Sequence, residues 1–149
     1  MTLFFPDVNV WLALSVESHE YSDPAWHWID RLPRDARLVF SRHTQIGLLR
    51  VLCAESVMGS ATLALGKAWS IYDQWIEDAR VEFYPEPKGA EDAFRRVSSP
   101  FASQKASKAL GDCWLLAFAM EINAALVTFD RGLYDLARRQ GQTAVIPSW

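Results

Sequence analysis

Three aspartates are placed where a carboxylate can do more than solvate a surface. Asp7 ends the apolar run Leu3-Phe4-Phe5 and stands before Val10, Trp11, Leu12 and Leu14, which have helical spacing. Asp130 ends Ala125-Leu126-Val127-Thr128 and precedes another helical pattern. Asp112 lies at the mouth of the apolar stretch Cys113 to Met120. A carboxylate between a buried strand and a helix sits at the carboxyl end of the strand, where open α/β sheets bind ligands. Each aspartate also has a plain structural reading. Asp7 and Asp130 fit helix N-caps, with Asn9 a better cap than Asp7, and Asp112 fits a first turn favoured by the helix dipole.

Taken together, the three ask for more than caps. If the first and fourth strands are neighbours, the carboxylates converge on one strand-end crevice. Converging carboxylates repel unless a cation lies between them or one takes a proton. All-oxygen ligands suit Mg²⁺ or Mn²⁺, ions that hold phosphate oxygens and support in-line displacement.

The elements that must position them follow from periodicity. Leu3–Phe5, Leu38–Phe40, Val81–Phe83, Ala125–Thr128 and Ala144–Ile146 read as short buried strands. Helices are expected from Asn9 to about Val16 and after Asp23-Pro24, with Asp23 as cap and Pro24 opening the helix. Others are expected over His43–Cys53, from a Ser60 cap to about Asp78, over Ala90–Val97, from Leu110 onward, and over Arg131–Gln140. Leu65, Trp69, Tyr72 and Ile76 mark the expected inner face of the long helix. The Leu110 helix is expected to be deeply buried. Strands alternating with helices imply an α/β fold with a parallel sheet covered on both faces, and right-handed crossovers put the strand-end loops on one edge.

Composition sets limits. A chain of 149 residues, half of them hydrophobic and 22% charged, fits one globular domain over 1–149. Net charge is −3, so nucleic-acid contact has to rest on local basic clusters. Seven Trp suggest large apolar surfaces, some at an interface. Cys53 and Cys113 fall in apolar patterns without metal-like spacing, which suits reduced thiols in a cytoplasmic protein. No stretch approaches the roughly 20 apolar residues of a membrane span.

Four motifs occur in order: Asp7-x-Asn9; Thr44-Gln45-x-Gly47-Leu48-Leu49-Arg50; Leu110-Gly111-Asp112 with its apolar helix; and Thr128-Phe129-Asp130-Arg131-Gly132-Leu133. Over nearly the whole chain they resemble the PIN-domain nucleases, and within them the VapC-type toxins of toxin–antitoxin pairs. The resemblance implies a three-layer α/β/α domain with a five-stranded parallel sheet in order 3-2-1-4-5. It implies a Mg²⁺- or Mn²⁺-dependent endoribonuclease, a homodimer, and a partner antitoxin that silences it. In that pattern Asp7 and Asp112 are core metal ligands, Asp130 completes the acidic site, and Asn9 and Thr128 support it.

The family's Glu in the helix after strand two, three residues past Thr44, is replaced here by Gly47. Arg50 lies one turn beyond on the same face and is expected to offer a phosphate-binding cation instead. Gln45 points elsewhere if the helix has already begun. Arg42, His43, Lys105 and Lys108 lie in segments expected to flank the crevice and are candidates for RNA phosphates. Two other readings stay open. One is a PIN-like binding module with lost catalysis. The other is a phosphatase with Asp7 as nucleophile, which would normally carry a second Asp where this chain has Asn9.

Overall fold

The computed structural model describes residues 1–148. Five strands form one parallel sheet: β1 (Leu3–Pro6), β2 (Arg37–Phe40), β3 (Val81–Phe83), β4 (Ala125–Val127) and β5 (Ala144–Val145). Their order is β3-β2-β1-β4-β5, as expected. Phe4 pairs with Leu38 on one side and with Ala125 on the other, so β1 is central. Both sheet faces are covered, which is why the strands read as nearly continuous apolar runs.

Side-chain alternation divides the core. Phe5, Val39, Leu126 and Ala144 face one layer: α6 (Ala90–Ser98), α7 (Ser107–Glu121) and α8 (Arg131–Arg139). Leu38, Phe40, Val81 and Val127 face the other: α1 (Val8–Ser15), α2 (Ser22–Asp30), α3 (Arg42–Leu52), the short α4 (Glu55–Met58) through Met58, and α5 (Leu65–Glu77). The second layer holds the aromatic stack. Trp11 lies 3.9 Å from Phe40, nearly parallel, with Trp75 edge-on. No helix among the described residues is long and apolar enough to cross a membrane.

Several local expectations are corrected. Asp7, not Asn9, caps α1, accepting from the Val8 N–H at 2.7 Å, and Asn9 lies inside the helix. Asp23 is in the first turn of α2, and the cap position is Tyr21. Ser60 sits in a 3₁₀ turn, while the long helix begins at Leu65, after Ala64. Its inner face is also rotated. Ala68 and Tyr72 are buried, whereas Leu65, Trp69 and Ile76 are 56%, 40% and 37% exposed. Two apolar stripes overlap on α5, and the one with the smaller Ala68 allows the close approach. Helix α7 starts at Ser107, so Asp112 stands in its second turn, and Leu110 remains exposed.

Candidate acidic site at the carboxyl edge of the sheet

The site forms where β1 and β4 end side by side. Pro6 pairs with Val127, and the Asp7 N–H donates to the Val127 carbonyl at 2.8 Å. This register puts Thr128, fully buried, against Asp7. The Thr128 hydroxyl donates to Asp7 Oδ2 at 2.9 Å and accepts from Asp130 N at 3.0 Å and from Asn9 Nδ2 at 3.3 Å. One donor and two acceptors use the whole capacity of a hydroxyl. Asn9 closes the junction, its Oδ1 accepting from the Phe129 N–H at 3.2 Å. Asp130 turns Oδ1 to the Leu133 N–H and caps α8. The cap expectation for Asp7 and Asp130 therefore holds, and the caps and the acidic cluster are the same residues.

Asp112 faces this junction from α7. Burial, then the charges of Asp130 and Asp7, push its carboxyl up to about 6. Burial is also the main reason the Asp7 carboxyl is raised. The Asp130 charge adds to it, while Thr128, the Val8 N–H and the nearby His43 oppose it. The three carboxylates thus share one field at the sheet edge. The oxygen donors suit a hard divalent cation in kind and charge. Among the described residues, though, no three His, Cys, Asp or Glu lie close enough to share one ion as arranged. Asp7 and Asp130 have turned oxygens to hydrogen-bond donors instead.

The neighbouring wall is α3. Ser41 and Thr44 cap it reciprocally, at 3.1 Å from Thr44 N to Ser41 Oγ and 3.0 Å from Ser41 N to Thr44 Oγ1. Thr44 is therefore a fully buried cap partner. Gln45, also buried, accepts from Arg42 Nη1 at 2.6 Å. Arg42 is pinned further by the Phe83 ring, 4.7 Å beneath its guanidinium carbon. His43 feels both Asp7 and Arg50; its pKa is lowered chiefly by burial, with Arg50 adding and Asp7 opposing. Arg50 is exposed and lines a cavity of about 360 Å³ with Val8, His43 and Gly47.

Gly47 explains its own place. A Cβ built there would overlap Val8 Cγ2, because α1 and α3 cross closely at that point. The slot for the family's Glu is filled by Val8. Lys105 and Lys108 are exposed, one in the loop before α7 and one in its first turn. Neither lines that cavity of about 360 Å³.

Besides Arg42 and His43, residues not singled out from the sequence complete the surroundings. A cavity of about 590 Å³ lies beside the acidic cluster, bounded by Arg42, His43, Glu86, Glu91, Phe94 and Trp114. Ile46, Leu110 and Gly111 complete its lining. Its lining comes from three helices and the loop after β3, so no local spacing could have marked it as one surface.

With this geometry in view, the likenesses to other proteins are specific. Ribonuclease VapC41 of Mycobacterium tuberculosis is 33% identical over 128 residues, covering 83% of this chain and 86% of that one. Among solved structures, VapBC2 from Rickettsia felis, bound to a fragment of its promoter DNA, superposes with TM-score 0.72 at 12% identity. That match covers 97% of this chain and 98% of the other. VapC20 of Mycobacterium tuberculosis, described as a sarcin–ricin loop cleaving toxin, superposes with TM-score 0.65 at 13% identity, covering 95% and 98%. At such identities the structures speak for the fold alone. The family model described as PIN domain matches residues 4–139, and the chain belongs to that family.

Proposed function

We propose that this protein is the toxin ribonuclease of a toxin–antitoxin pair, hydrolysing RNA phosphodiester bonds with Mg²⁺ or Mn²⁺. The observation that carries the reading is the mutual electrostatic field of Asp7, Asp112 and Asp130, which pushes the Asp112 carboxyl up to about 6. Carboxylates in such a field gain from a cation between them. The likeness to Ribonuclease VapC41 supports the substrate class.

Asp7, Asp112 and Asp130 would hold the metal. When bound, it supplies Lewis-acid polarisation of a phosphoryl oxygen and a more acidic water. The chain's own contributions are distinct. Thr128 and Asn9 fix the Asp7 and Asp130 backbones relative to each other. Arg42 and His43, held at the α3 N-terminus, bind the phosphate on one side, and Arg50 binds the next one along the α3 face. Lys105 and Lys108 add peripheral attraction for the polyanion. Thr44 and Gln45 act through α3, the first by capping it and the second by aiming Arg42.

Partner and assembly belong to the same reading. The solved structures of similar fold include VapBC and FitAB complexes, which supports an antitoxin partner here. The exposed Leu65, Trp69 and Ile76 support a homodimer. Purified protein is expected to cleave RNA in Mg²⁺ and to stop in EDTA. Metal-independent cleavage, or none with either ion, would overturn the reading. Sedimentation at micromolar concentration tests the dimer, and a persistent monomer rules it out.

A further inference from the structure

The charges along the sheet edge alternate in a way the acidic cluster does not require. Glu86 follows β3, Arg42 and His43 follow β2, Asp7 follows β1, and Asp130 follows β4. Read across the strands, this is carboxylate, cations, carboxylates. The strand before Glu86, β3, lies two strand spacings, about 10 Å, from β1, the strand before Asp7. The cavity of about 590 Å³ fills that interval, between α3 on one side and α6 and α7 on the other. It falls in the size range of small-ligand sites.

Its surfaces differ by position. Apolar lining comes from Ile46, Phe94, Leu110 and Trp114, and Ile46 and Leu110 are 44% and 54% exposed. Trp114 and Phe94 brace each other edge-to-face at 5.6 Å. The cations differ in place: His43 is close enough to feel Asp7, while Arg42 is pinned by Gln45 and by Phe83 at the end of β3. Carboxylates stand at the far wall. Glu86 is held between Pro85 and Pro87, whose rings fix the backbone, and it enters no ion pair among the described residues. Glu91, in the first turn of α6, accepts from Arg95 Nε at 3.3 Å, an exposed pair.

We propose that this cleft is the subsite for one unstacked RNA base beside the scissile phosphate, and that Glu86 and Glu91 make it select guanine. The inference rests on the ribonuclease reading of the acidic site. Single-stranded RNA is recognised by splaying a base onto aromatic and apolar surface and reading its Watson–Crick edge. The interval between Asp7 and Glu86 suits a nucleotide, with its phosphate by Arg42 and His43 and its base edge at the far wall. Carboxylates only accept hydrogen bonds. Guanine offers two adjacent donors, N1–H and the N2 amino group, to such a pair of oxygens. Uracil offers one N–H flanked by carbonyls, which a carboxylate repels. A basic peptide suits the cleft less well, because its charge would lie against Arg42 and His43.

Binding and cleavage test it separately. Fluorescein-labelled tetranucleotides, all-uridine or with one guanosine, are titrated with the wild-type protein in EDTA at low salt and followed by anisotropy. The guanosine oligonucleotide is expected to bind about tenfold more tightly, the scale of one good base contact. Glu86→Gln with Glu91→Gln should erase the preference. Leu110→Trp, at an exposed position that spares the core, should fill the cleft and weaken the guanosine oligonucleotide to the level of uridine. Equal affinities in the wild type, or a preference surviving both variants, would overturn the proposal. Unchanged RNA affinity with weakened antitoxin binding in Leu110→Trp would overturn it in favour of a protein segment. The same oligonucleotides with Mg²⁺ separate the two readings. Base preference without cleavage upholds the subsite and sinks the ribonuclease; cleavage without preference does the reverse.

Discussion

On the β1–β4 side of the sheet edge, two carboxylates are gathered by backbone register and one buried hydroxyl, and a third faces them from α7; on the β2 side, α3 presents cations and, at Gly47, no side chain at all. The first wall is rigid because its parts come from strand ends. Thr128 has no spare hydrogen-bond capacity, and Asn9 ties the two loops together. The second wall is a helix face whose polar groups are mostly exposed. Where two helices cross as closely as α1 and α3, a residue can contribute shape or charge to the edge, but not both. Val8 takes the space, and Arg50, a turn further on, carries the charge. The acidic wall is thus read as the seat of chemistry and the α3 wall as the seat of substrate grip.

The largest expected effects break that division at the acidic wall. Asp112→Asn should reduce RNA cleavage about a thousandfold or more while leaving the far-UV circular dichroism unchanged. Asp112 caps nothing among the described hydrogen bonds, so loss of fold would mean that its role is structural. Asp7→Asn is the less clean variant, because Asp7 also caps α1.

Next comes the crossing of the helices. Gly47→Glu restores the family's residue type, but its Cβ would overlap Val8. The expected cost is about 2 kcal/mol in urea unfolding. Val8→Ala in the same chain should recover most of it. If Gly47→Glu alone is as stable as the wild type, the close crossing is not what keeps the carboxylate out.

This contrast also sets what the sequence could reveal. Asp7 and Asp130 were legible because each ends a short apolar run, and in a parallel sheet such residues share an edge. The strand order came with the ordered motifs, and the sheet bears it out. The reason for Gly47 was hidden, since it lies in contact with Val8, about forty positions away in another helix. Of the expected inner face of α5, Tyr72 is buried but Leu65, Trp69 and Ile76 are not, because Ala68-Ile71-Trp75 has the same helical period. Hydrophobicity favours the expected residues, while the small Ala68 lets the partner helices approach on the side of Ile71, Tyr72 and Trp75. The early start of α7 was missed because Ser107 and Lys108, polar and exposed, look like loop. The cleft beside the acidic cluster needed three helices and a loop to be brought together before it existed at all.

A smaller effect sharpens the role of the α3 wall. Arg50→Ala should weaken RNA binding about tenfold, raising KM more than it lowers kcat, and should reduce the salt slope of binding by about one. A fall in kcat at unchanged KM would move Arg50 from gripping substrate to the reacting atoms.

The smallest expected effect tests the acidic wall without any RNA. The Asp112 carboxyl is pushed up to about 6 from an ordinary 3.8, by burial and by the charges of Asp130 and Asp7. Between those values the folded protein holds a proton that the unfolded chain has released. Stability therefore rises as pH falls through that window and is lost as pH rises through about 6. The raised carboxyl of Asp7 gives a slope of the same sign. Asp112 is only half-buried, so solvent screening reduces the effect to about 1 kcal/mol. Asp112→Asn removes the ionisation. In EDTA the variant should be more stable than the wild type above pH 6 by about that amount, and no more stable below pH 4. Mg²⁺ at neutral pH should raise the wild-type melting temperature by binding linkage and raise the variant's much less. Urea titrations of both proteins between pH 4 and 8 measure the slope, and melts with and without Mg²⁺ measure the linkage. A favourable charge at a helix start gives the opposite ordering, with the variant equal or slightly weaker at every pH. That ordering, together with no response to Mg²⁺, would mean that the three carboxylates do not act as one site.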